Sequence, residues 1–323
     1  MTKQWFFMSK SVKKTVREIK SLKIQGSSKV RKAILEALKK SVHESSAKTL
    51  VAFKRELGKN ALELLKARPT EPESRTAIRI ILKAASVQTQ LLGEAKESVI
   101  EAINAYEKNR KKAMETISEY GANLIQKDSV VFTHCHSHTV EEILKKAKSR
   151  IKYVISTETR PKFQGRITAQ ALTQAGLKVV QIVDSAALRF MKEADLFITG
   201  CDAVLGNGDI VNKIGTSQIS LAAGKHDVPH FVATSSHCFE PLSYFGIPEE
   251  IEQRPSEEIW NKKLKGLSIR NPAFDVTPAH YIQEIITEKG VFAPETFAML
   301  MFEELGIEHR KEEFLSLLKL LKK

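Results

Sequence analysis

The hydrophobic pattern of the chain changes its period near Asp128, and this change constrains the fold more than any other feature. From residue 9 to about residue 127, apolar residues recur at the three- and four-residue spacing of amphipathic helices. After that point, short apolar runs alternate with helical stretches, which is typical of a parallel sheet covered on both faces. We therefore predict an α/β protein with a helical N-terminal domain, residues 1–127, and a Rossmann-like, doubly wound parallel sheet domain, residues 128–323.

Strands and helices alternate with short connections in the second predicted domain. The predicted strands cover residues 130–133, 153–155, 179–183, 196–199, 209–211, 230–233 and 285–286. The predicted helices cover residues 139–147, 166–175, 186–193, 217–224, 295–304 and 312–321. Between these elements, residues 271–276 return the chain to the core. A sheet of this kind binds its ligands at the carboxyl ends of its strands, so we expect the functional residues directly after the strands.

Composition excludes several classes of protein. The chain has 323 residues, of which 42% are hydrophobic, and no run approaches the roughly 18 apolar residues of a membrane span. We therefore expect a cytoplasmic protein without a membrane segment. Its three cysteines, Cys135, Cys201 and Cys238, are odd in number and widely spaced, which argues against a disulfide framework or a zinc knuckle. No metal and no other cofactor is predicted.

Positive charge is concentrated at the amino terminus. The formal net charge is +13, and residues 1–50 hold 13 Lys and Arg residues against 3 Glu. A basic arm of this kind contacts nucleic acid, a membrane surface or an acidic partner in some proteins, and is a solvated helical face in others. Its aromatic side chains are limited to Trp5, Phe6 and Phe7, which leaves little for base stacking. Both interpretations stay open at this point.

The stretch 196–216 has the layout of a small-molecule phosphate site. A buried apolar run places Asp202 at the carboxyl end of a strand, and a glycine-rich turn then leads to Asn212 and Lys213. A helix follows at about Thr216. The free N–H groups and the positive dipole of a helix start favour an anion, and Lys213 adds a point charge. The pattern therefore predicts a phosphate at the helix start, with Asp202 facing Lys213.

Other chemically capable side chains also follow predicted strands. Those that come directly after a strand are Cys135, Glu158, Arg160, Asp184 and Asp202, and Asp275 lies in the segment NPAFDVTP. The carboxyl ends of parallel strands meet at one edge of the sheet, so their joint placement predicts a single crevice. Taken singly, each residue is as well explained by a helix cap or a satisfied hydrogen bond.

Three histidines surround Cys135. His134 precedes it, and His136 and His138 follow. On an extended strand, imidazoles at alternate positions share one side and form a metal site, but the helix that begins near Thr139 breaks the alternation. A thiol flanked by histidines near a helix start could instead have a lowered pKa and act as a thiolate or an acid. The third interpretation is an inert, buried cysteine.

Two kinds of residue are candidates for binding anions. Basic side chains lie at Arg68, Arg160, Lys162, Arg166 and Lys213. Arginine binds phosphate in a bidentate manner, whereas lysine acts as a point charge. The short turn Gly26-Ser27-Ser28, ahead of a predicted helix, adds N–H and hydroxyl donors. Any one of these residues alone is a weak phosphate signal.

Five segments of the chain together resemble one superfamily. They are THCHS (133–137), TETRPKFQGR (157–166), IVDSAA (182–187), GCDAVLGNGDIVNKIGT (200–216) and NPAFDVTP (271–278). The superfamily contains the regulatory α, β and δ subunits of translation initiation factor 2B, methylthioribose-1-phosphate isomerase and archaeal ribose-1,5-bisphosphate isomerase, and the resemblance covers nearly the whole chain. A cysteine and an aspartate set the isomerases apart, and both match here, at Cys135 and Asp202. The segments THCHS and TETRPKFQG are most similar to those of the archaeal isomerases.

The resemblance implies an aldose–ketose isomerase that converts ribose 1,5-bisphosphate to ribulose 1,5-bisphosphate in archaeal AMP and nucleoside degradation. It implies that Asp202 acts as general acid and base in ring opening. Cys135 would serve the hydrogen transfer between C1 and C2, either as a base or as a partner in a hydride shift. The implied phosphate-binding residues are Gln25, Gly26, Ser27, Ser28, Arg68, Arg160, Arg166, Asn212 and Lys213. No cofactor is implied, and the assembly would be a homodimer or a hexamer built as a trimer of dimers.

The chain departs from the isomerase pattern at two places. Gln25 stands where the isomerases carry a phosphate-binding arginine, and ATSSHCF (233–239) replaces a common alanine-glutamate-threonine pattern. RPTEP (68–72) looks closer to initiation factor β-like sequences. These departures keep a second interpretation open. In it the chain is a non-catalytic regulatory subunit that senses a sugar phosphate or nucleotide and contacts an initiation factor or RNA.

Overall fold

The structure, a computed structural model, describes residues 8–21, 23–24, 26–68, 71–85, 91–307 and 312. These residues form two compact units, which divide between Lys112 and Ala113. Gln25 lies outside the described residues, as does the predicted closing helix 312–321 beyond Glu312. The predicted domains, 1–127 and 128–323, follow the change from helices to sheet, and that division stays a prediction.

The first unit is helical, as predicted. It contains α1 (Lys10–Lys20), α2 (Ser27–Glu44), α3 (Leu50–Lys66), α4 (Pro72–Ala84) and the first part of α5 (Leu92–Leu124). Side-chain caps begin two helices: the Ser9 hydroxyl accepts the N–H of Val12, and the Thr49 hydroxyl accepts that of Ala52. Pro72 opens α4, where a backbone N–H has no helical partner in any case.

The apolar stripe of each helix builds the core of this unit. Its fully buried side chains include those of Val12, Ile34, Leu38, Leu57, Leu64, Ile78 and Val99. Burying an aliphatic side chain of this size stabilises the fold by about 1.5–3 kcal/mol. The periodicity in residues 9–127 therefore reports the packed face of each helix.

The second unit begins with the end of α5 and continues as an α/β structure. Its first elements are β1 (Ser129–Thr133), α6 (His138–Lys146), β2 (Ile151–Thr157), α7 (Gln164–Gln174), β3 (Val179–Ile182), α8 (Ala187–Met191) and β4 (Leu196–Thr199). The chain continues with β5 (Ala203–Val204), β6 (Ile210–Lys213), α9 (Thr216–Lys225), β7 (His230–Ala233), β8 (Phe274–Thr277), β9 (Glu284–Thr287), β10 (Gly290–Phe292) and α10 (Pro294–Glu304).

Seven strands form one sheet in the order β10-β9-β7-β4-β1-β2-β3. All neighbours are parallel except β10, which pairs antiparallel with β9. Alternate residues of the strands pack into two separate hydrophobic cores, one on each face of the sheet. One core packs Val131, Val154 and Ile198 against α6 and α7, and the other packs Phe132, Ile155 and Phe197 against α8 and α9. This confirms the predicted parallel sheet with both faces covered.

A second, three-stranded antiparallel sheet has the order β5-β6-β8. The pairing of β6 with β8 places Asn212 opposite Asp275 and Lys213 opposite Phe274. The sequence predicted a strand at 209–211 and the return of residues 271–276 to the core. It did not predict that these two segments pair with each other. This pairing brings the NPAFDVTP segment to the residues that follow Asp202.

None of the helices in the described part of the chain combines the length and the apolar composition that crossing a membrane requires.

Candidate active site

Cys135 follows β1 in a left-handed backbone conformation, with φ +68°. This conformation is uncommon for a residue other than glycine and persists only where the surroundings enforce it. Here two threonine hydroxyls hold the residue. Its N–H donates to Oγ1 of Thr159 at 2.9 Å, and its carbonyl accepts from Oγ1 of Thr168 at 2.9 Å. The backbone of Cys135 is therefore fixed from both sides.

Thr159 follows β2 and is itself left-handed, with φ +60°. Its side chain is β-branched and fully buried, so the conformation is strained. The carboxylate of Asp184, after β3, accepts the N–H of Thr159 at 2.7 Å and that of Arg160 at 2.6 Å. The loops that follow β1, β2 and β3 are thus joined through Cys135, Thr159 and Asp184.

The thiol of Cys135 is held in its neutral form. Burial raises the pKa of Cys135 to about 11, and the negative charges of Asp202 and Asp184 raise it further. The positive charge of Lys213 and the N–H of His136 act in the opposite direction without overcoming burial. The lowered thiol pKa that the flanking histidines suggested is therefore wrong. The same interactions place Asp202 and Lys213 within electrostatic reach of the Cys135 thiol.

Asp202 lies between β4 and β5, where its backbone N–H donates to the carbonyl of Val211 at 2.9 Å. Its side chain is half-buried. The preceding residue, Cys201, also bears a thiol, and burial raises the pKa of Cys201 to about 12. All three cysteines are free. Of the predicted site residues in the second unit, Cys135 and Asp202 therefore follow the paired strands β1 and β4, and the charge of Lys213 acts on the same thiol.

Lys213 ends β6 and stands over the ring of Phe274, with Nζ 4.7 Å from the ring centroid. Its charge acts on Cys135, His134 and Asp275. The neighbouring Asn212 is buried, and its Nδ2 donates to Oγ1 of Thr216 at 3.0 Å. Asn212 therefore fixes the turn into α9, while the ammonium of Lys213 supplies the positive charge of the site.

The start of α9 is already capped by the chain itself. Oδ2 of Asp275 accepts the N–H of Gly215 at 2.7 Å, and both carboxylate oxygens lie 3.3 Å from the nitrogen of Ser217. A phosphate at these N–H groups would have to displace a carboxylate. The phosphate site at this helix start therefore stays a prediction, and the carboxylate of Asp275 is the group that a phosphate would have to displace there.

His134 joins the end of β1 to the turn after Lys213. Its Nδ1 lies 2.6 Å from Oγ1 of Thr157, and its Nε2 lies 3.0 Å from the carbonyl oxygen of Ile214. A carbonyl only accepts, so Nε2 carries the proton and Nδ1 accepts from the hydroxyl. Burial lowers the pKa of His134 to about 4, which leaves the ring neutral. The sequence pattern predicted this residue only as a metal ligand or as a neighbour that lowers the pKa of Cys135.

The structure does not bring the three histidines around Cys135 to a common point. His134 bonds as described above, and His136 Nδ1 lies 3.1 Å from Oγ1 of Thr168. Among the described residues, one group with metal-ligand spacing is His138, Glu141 and Glu142. The ammonium of Lys145 bonds both of its glutamates, so this group is an ion-pair network on α6.

Arg160 and Arg166 flank one aromatic ring. The guanidinium carbon of Arg166 lies 3.8 Å from the ring centroid of Phe163, and that of Arg160 lies 5.0 Å from it. Arg166 also pairs with Glu158 at 2.7 Å, yet 57% of its side chain is exposed. Exposed ion pairs of this kind are weak. Both guanidinium groups therefore remain candidates for a phosphate.

Two of the predicted phosphate residues of the first unit, Ser27 and Arg68, contact Glu71. Gly26 caps α2 with φ +85°, and Ser27 and Ser28 open that helix. The Ser27 hydroxyl donates to the buried carboxylate of Glu71, and Nε of Arg68 lies 3.3 Å from an oxygen of the same group. The structure thus groups Ser27 and Arg68 on a carboxylate, at the start of a helix of 18 residues.

Fold and site together define a class. The class is a Rossmann-like α/β protein with a cysteine and an aspartate after two paired parallel strands and a lysine whose charge acts on the cysteine. The family model "Initiation factor 2 subunit family" matches residues 23–294. The chain belongs to this family, and the resemblance stated from the sequence is confirmed.

Known proteins similar to this chain are named either as sugar-phosphate isomerases or as translation initiation factors. One relative is the ribose 1,5-bisphosphate isomerase of Methanocaldococcus jannaschii, 39% identical over 288 residues, or 88% of this chain and 92% of that protein.

Two solved structures from Pyrococcus horikoshii OT3 share the fold with a TM-score of 0.75. The translation initiation factor eIF-2B is 29% identical and is matched over 89% of this chain and 98% of its own. The 5-methylthioribose 1-phosphate isomerase is 28% identical, over 90% of this chain and 87% of its own.

Proposed function

We propose that this chain is a ribose-1,5-bisphosphate isomerase, which converts the cyclic aldose phosphate into ribulose 1,5-bisphosphate. The observation that carries the proposal is that Cys135 and Asp202 follow the paired strands β1 and β4, with the charges of Asp202 and Lys213 acting on the thiol. The carboxylate can carry the proton transfers of the isomerization, the thiol can serve the hydrogen transfer or exclude water there, and the lysine offers a charge to a phosphate. The names of relatives such as that from M. jannaschii support the same reaction class.

In the proposed reaction, Asp202 gives its proton to the ring oxygen as the bond between that oxygen and C1 breaks. C1 is then electron-poor, and the hydrogen on C2 must move to C1 while the C2 hydroxyl becomes a carbonyl. The proton of that hydroxyl returns to the carboxylate of Asp202, which restores the acid. Proton transfer by a positioned group typically contributes about 10²–10⁴-fold in rate.

Two routes can carry the hydrogen from C2 to C1. In one, a Cys135 thiolate removes it as a proton and an enediol-type intermediate forms. In the other, it moves directly as a hydride. Desolvation raises the pKa of the half-buried Cys135 thiol to about 11, so the thiol is chiefly neutral at pH 7. We therefore assign the hydride route, with the neutral thiol packed beside C1 and C2 where it keeps water from the open chain.

The phosphates of the substrate require cationic partners. Lys213 is the candidate beside the reacting carbons, and Arg160 and Arg166 are candidates at the start of α7. A charge-assisted contact of this kind is worth about 1.5–3 kcal/mol. The contacts assigned to Gly26, Ser27, Ser28 and Arg68 in the first unit, and to Gln25, remain sequence-based predictions.

A regulatory protein is the second candidate function. It is favoured by the similarity to the P. horikoshii protein named translation initiation factor eIF-2B and by Gln25 in place of the isomerase arginine. In that case the crevice at the strand ends would bind a sugar phosphate or nucleotide without converting it, and the basic amino-terminal segment would contact an initiation factor or RNA.

Incubation with ribose 1,5-bisphosphate separates the two functions, with ketose formation followed by NMR and binding followed by calorimetry. The proposal is supported if kcat/KM for ribose 1,5-bisphosphate is at least tenfold higher than kcat/KM for methylthioribose 1-phosphate. Of these two substrates, only ribose 1,5-bisphosphate carries a second phosphate. Saturable binding without ketose formation supports the regulatory function. Turnover of methylthioribose 1-phosphate alone would assign the sister isomerase.

The assembly and the location of the protein stay proposals. We propose a homodimer or a hexamer built as a trimer of dimers, in the cytoplasm, as the family resemblance implies. Multi-angle light scattering on the full-length protein distinguishes these two sizes, and a monomer at micromolar concentration would contradict both.

A further inference from the structure

Two residues with left-handed backbones are hydrogen-bonded to each other in the crevice. Cys135 has φ +68° and Thr159 has φ +60°, and the N–H of the first donates to the hydroxyl of the second. A non-glycine residue in this region costs of order 1–3 kcal/mol and persists where packing and hydrogen bonds over-determine it. Such strain clusters at functional sites, which directs attention to what holds Cys135.

The hydroxyls of Thr159 and Thr168 both bond the backbone of Cys135, and each bond has a defined donor and acceptor. Thr159 accepts from the N–H of Cys135. Thr168 donates to the carbonyl of Cys135, so it accepts from Nδ1 of His136 at 3.1 Å. Both threonines are at most 1% exposed. Water therefore cannot easily replace a hydroxyl that is removed, and an N–H left without its acceptor would be buried.

Thr159 is held in turn by a carboxylate. The two oxygens of Asp184 accept the N–H groups of Thr159 and Arg160 at 2.7 and 2.6 Å, as in a charge-assisted bidentate contact. Gly165, in α7, also packs closely against the Thr157 carbonyl and the Thr159 hydroxyl. A Cβ on Gly165 would lie 1.8 Å from the carbonyl oxygen of Thr157 and 2.9 Å from Oγ1 of Thr159. The position of the Thr159 hydroxyl is therefore determined by the ends of two neighbouring strands.

We propose that Thr159 is a positioning residue for the isomerization, whose hydroxyl fixes the left-handed backbone of Cys135 and so directs the thiol at the reacting carbons. Thr168 completes the hold from the carbonyl side, and Asp184 keeps Thr159 in place. The proposal rests on the proposed function for its kinetic consequence, but its geometric consequence is independent of any substrate.

The kinetic test compares Thr159→Val with Thr159→Ser in the full-length protein. Valine keeps the shape and the β-branch but removes the acceptor, whereas serine keeps the hydroxyl. A displacement of about 1 Å at a reacting group costs on the order of 100-fold in rate. We expect Thr159→Val to lose 10- to 100-fold in kcat with KM within threefold, and Thr159→Ser to stay within threefold of wild type in both.

A second measurement does not depend on turnover. The rate at which iodoacetamide modifies Cys135, quantified by mass spectrometry of its peptide, is measured from pH 7 to 11. In Thr159→Val we expect the released residue to become more exposed, so the midpoint falls by at least one pH unit and modification at pH 8 is at least fivefold faster. Thr159→Ser should match wild type. If no variant turns over ribose 1,5-bisphosphate but this shift appears, the positioning of Cys135 by Thr159 is supported and the proposed isomerization is contradicted.

Thr168→Val and Thr168→Ser repeat the comparison from the carbonyl side, and they carry the test if Thr159→Val does not fold. The proposal is overturned if the valine variants keep wild-type kcat and the wild-type modification profile. It is also overturned if the serine variants lose as much kcat as the valine variants, since the position would then matter for its shape and not for its hydroxyl.

Discussion

The Oδ2 atom of Asp275 lies 2.7 Å from the backbone nitrogen of Gly215, so a side chain from β8 neutralises the start of α9. Burial raises the pKa of Asp275 to about 6, against an ordinary value of 3.8. The N–H groups of Gly215 and Ser217 and the charge of Lys213 oppose this rise without cancelling it. The folded chain therefore binds the proton of Asp275 more tightly than the unfolded chain does.

This relationship fixes the sign of a pH effect. Because the folded pKa of Asp275 lies above the unfolded one, its contribution to stability falls as the pH rises from about 4 to about 6. The free energy of unfolding of wild type minus that of Asp275→Asn should decline over this interval and then level off. Urea titrations at half-unit steps of pH measure the difference, with Asp227→Asn as a surface control. A difference that rises with pH would contradict the assignment.

Gly165 provides a steric prediction. A Cβ at this position would lie 1.8 Å from the carbonyl oxygen of Thr157, which is backbone and cannot move aside. Overpacking of this kind costs about 1–3 kcal/mol or more, and we expect Gly165→Ala to lower the Tm by several degrees. Gly58, within α3, has no atom within 4 Å of an added Cβ, so Gly58→Ala should raise stability by about 0.5–1 kcal/mol. Equal effects in the two variants would refute this account.

His134 has the opposite pH signature. Its pKa is lowered from 6.5 to about 4, chiefly by burial, so between these values the unfolded chain binds a proton that the folded chain does not. Stability should therefore fall as the pH drops from about 6.5 to about 4, by on the order of 3 kcal/mol from this group. His134→Gln should flatten the curve in that window, and the exposed His280→Gln should not. An unchanged curve in His134→Gln would show that the imidazole is not held neutral.

The sequence predicted the layout of the second unit because local patterns encode it. A continuous apolar run such as Val130-Val131-Phe132 marks a strand buried on both faces, and the strand ends then follow from the topology of parallel sheets. Cys135 and Asp202 were identified because they follow strands, and their catalytic roles were inferred from a family pattern.

The remaining features of the site depend on non-local packing. The pairing of β6 with β8, which delivers Asp275 to α9, joins segments about 60 residues apart. The raised pKa of Cys135 follows from burial, which the histidines on either side do not report. Thr159 and Thr168 gave no signal in the sequence, because a threonine hydroxyl acquires its role only when the backbone that it contacts is in place.

The route of the hydrogen between C2 and C1 can be read from the product. With the Cys135 thiol neutral, we expect ribulose 1,5-bisphosphate formed in D₂O to carry no deuterium at C1, because a hydride does not exchange with solvent. Mass spectrometry after a single turnover makes the measurement. A base that removed the proton would exchange it with the solvent, so incorporation of one deuterium at C1 would contradict the hydride route.

The central claim is that the side chains of Cys135 and Asp202 act on one sugar phosphate. Its most direct test is the initial rate of ribulose 1,5-bisphosphate formation by wild type, Cys135→Ser and Asp202→Asn at saturating ribose 1,5-bisphosphate. The account predicts a loss of at least tenfold in kcat for Cys135→Ser and at least 100-fold for Asp202→Asn, with substrate still bound by both. Wild-type kcat in either variant would contradict it.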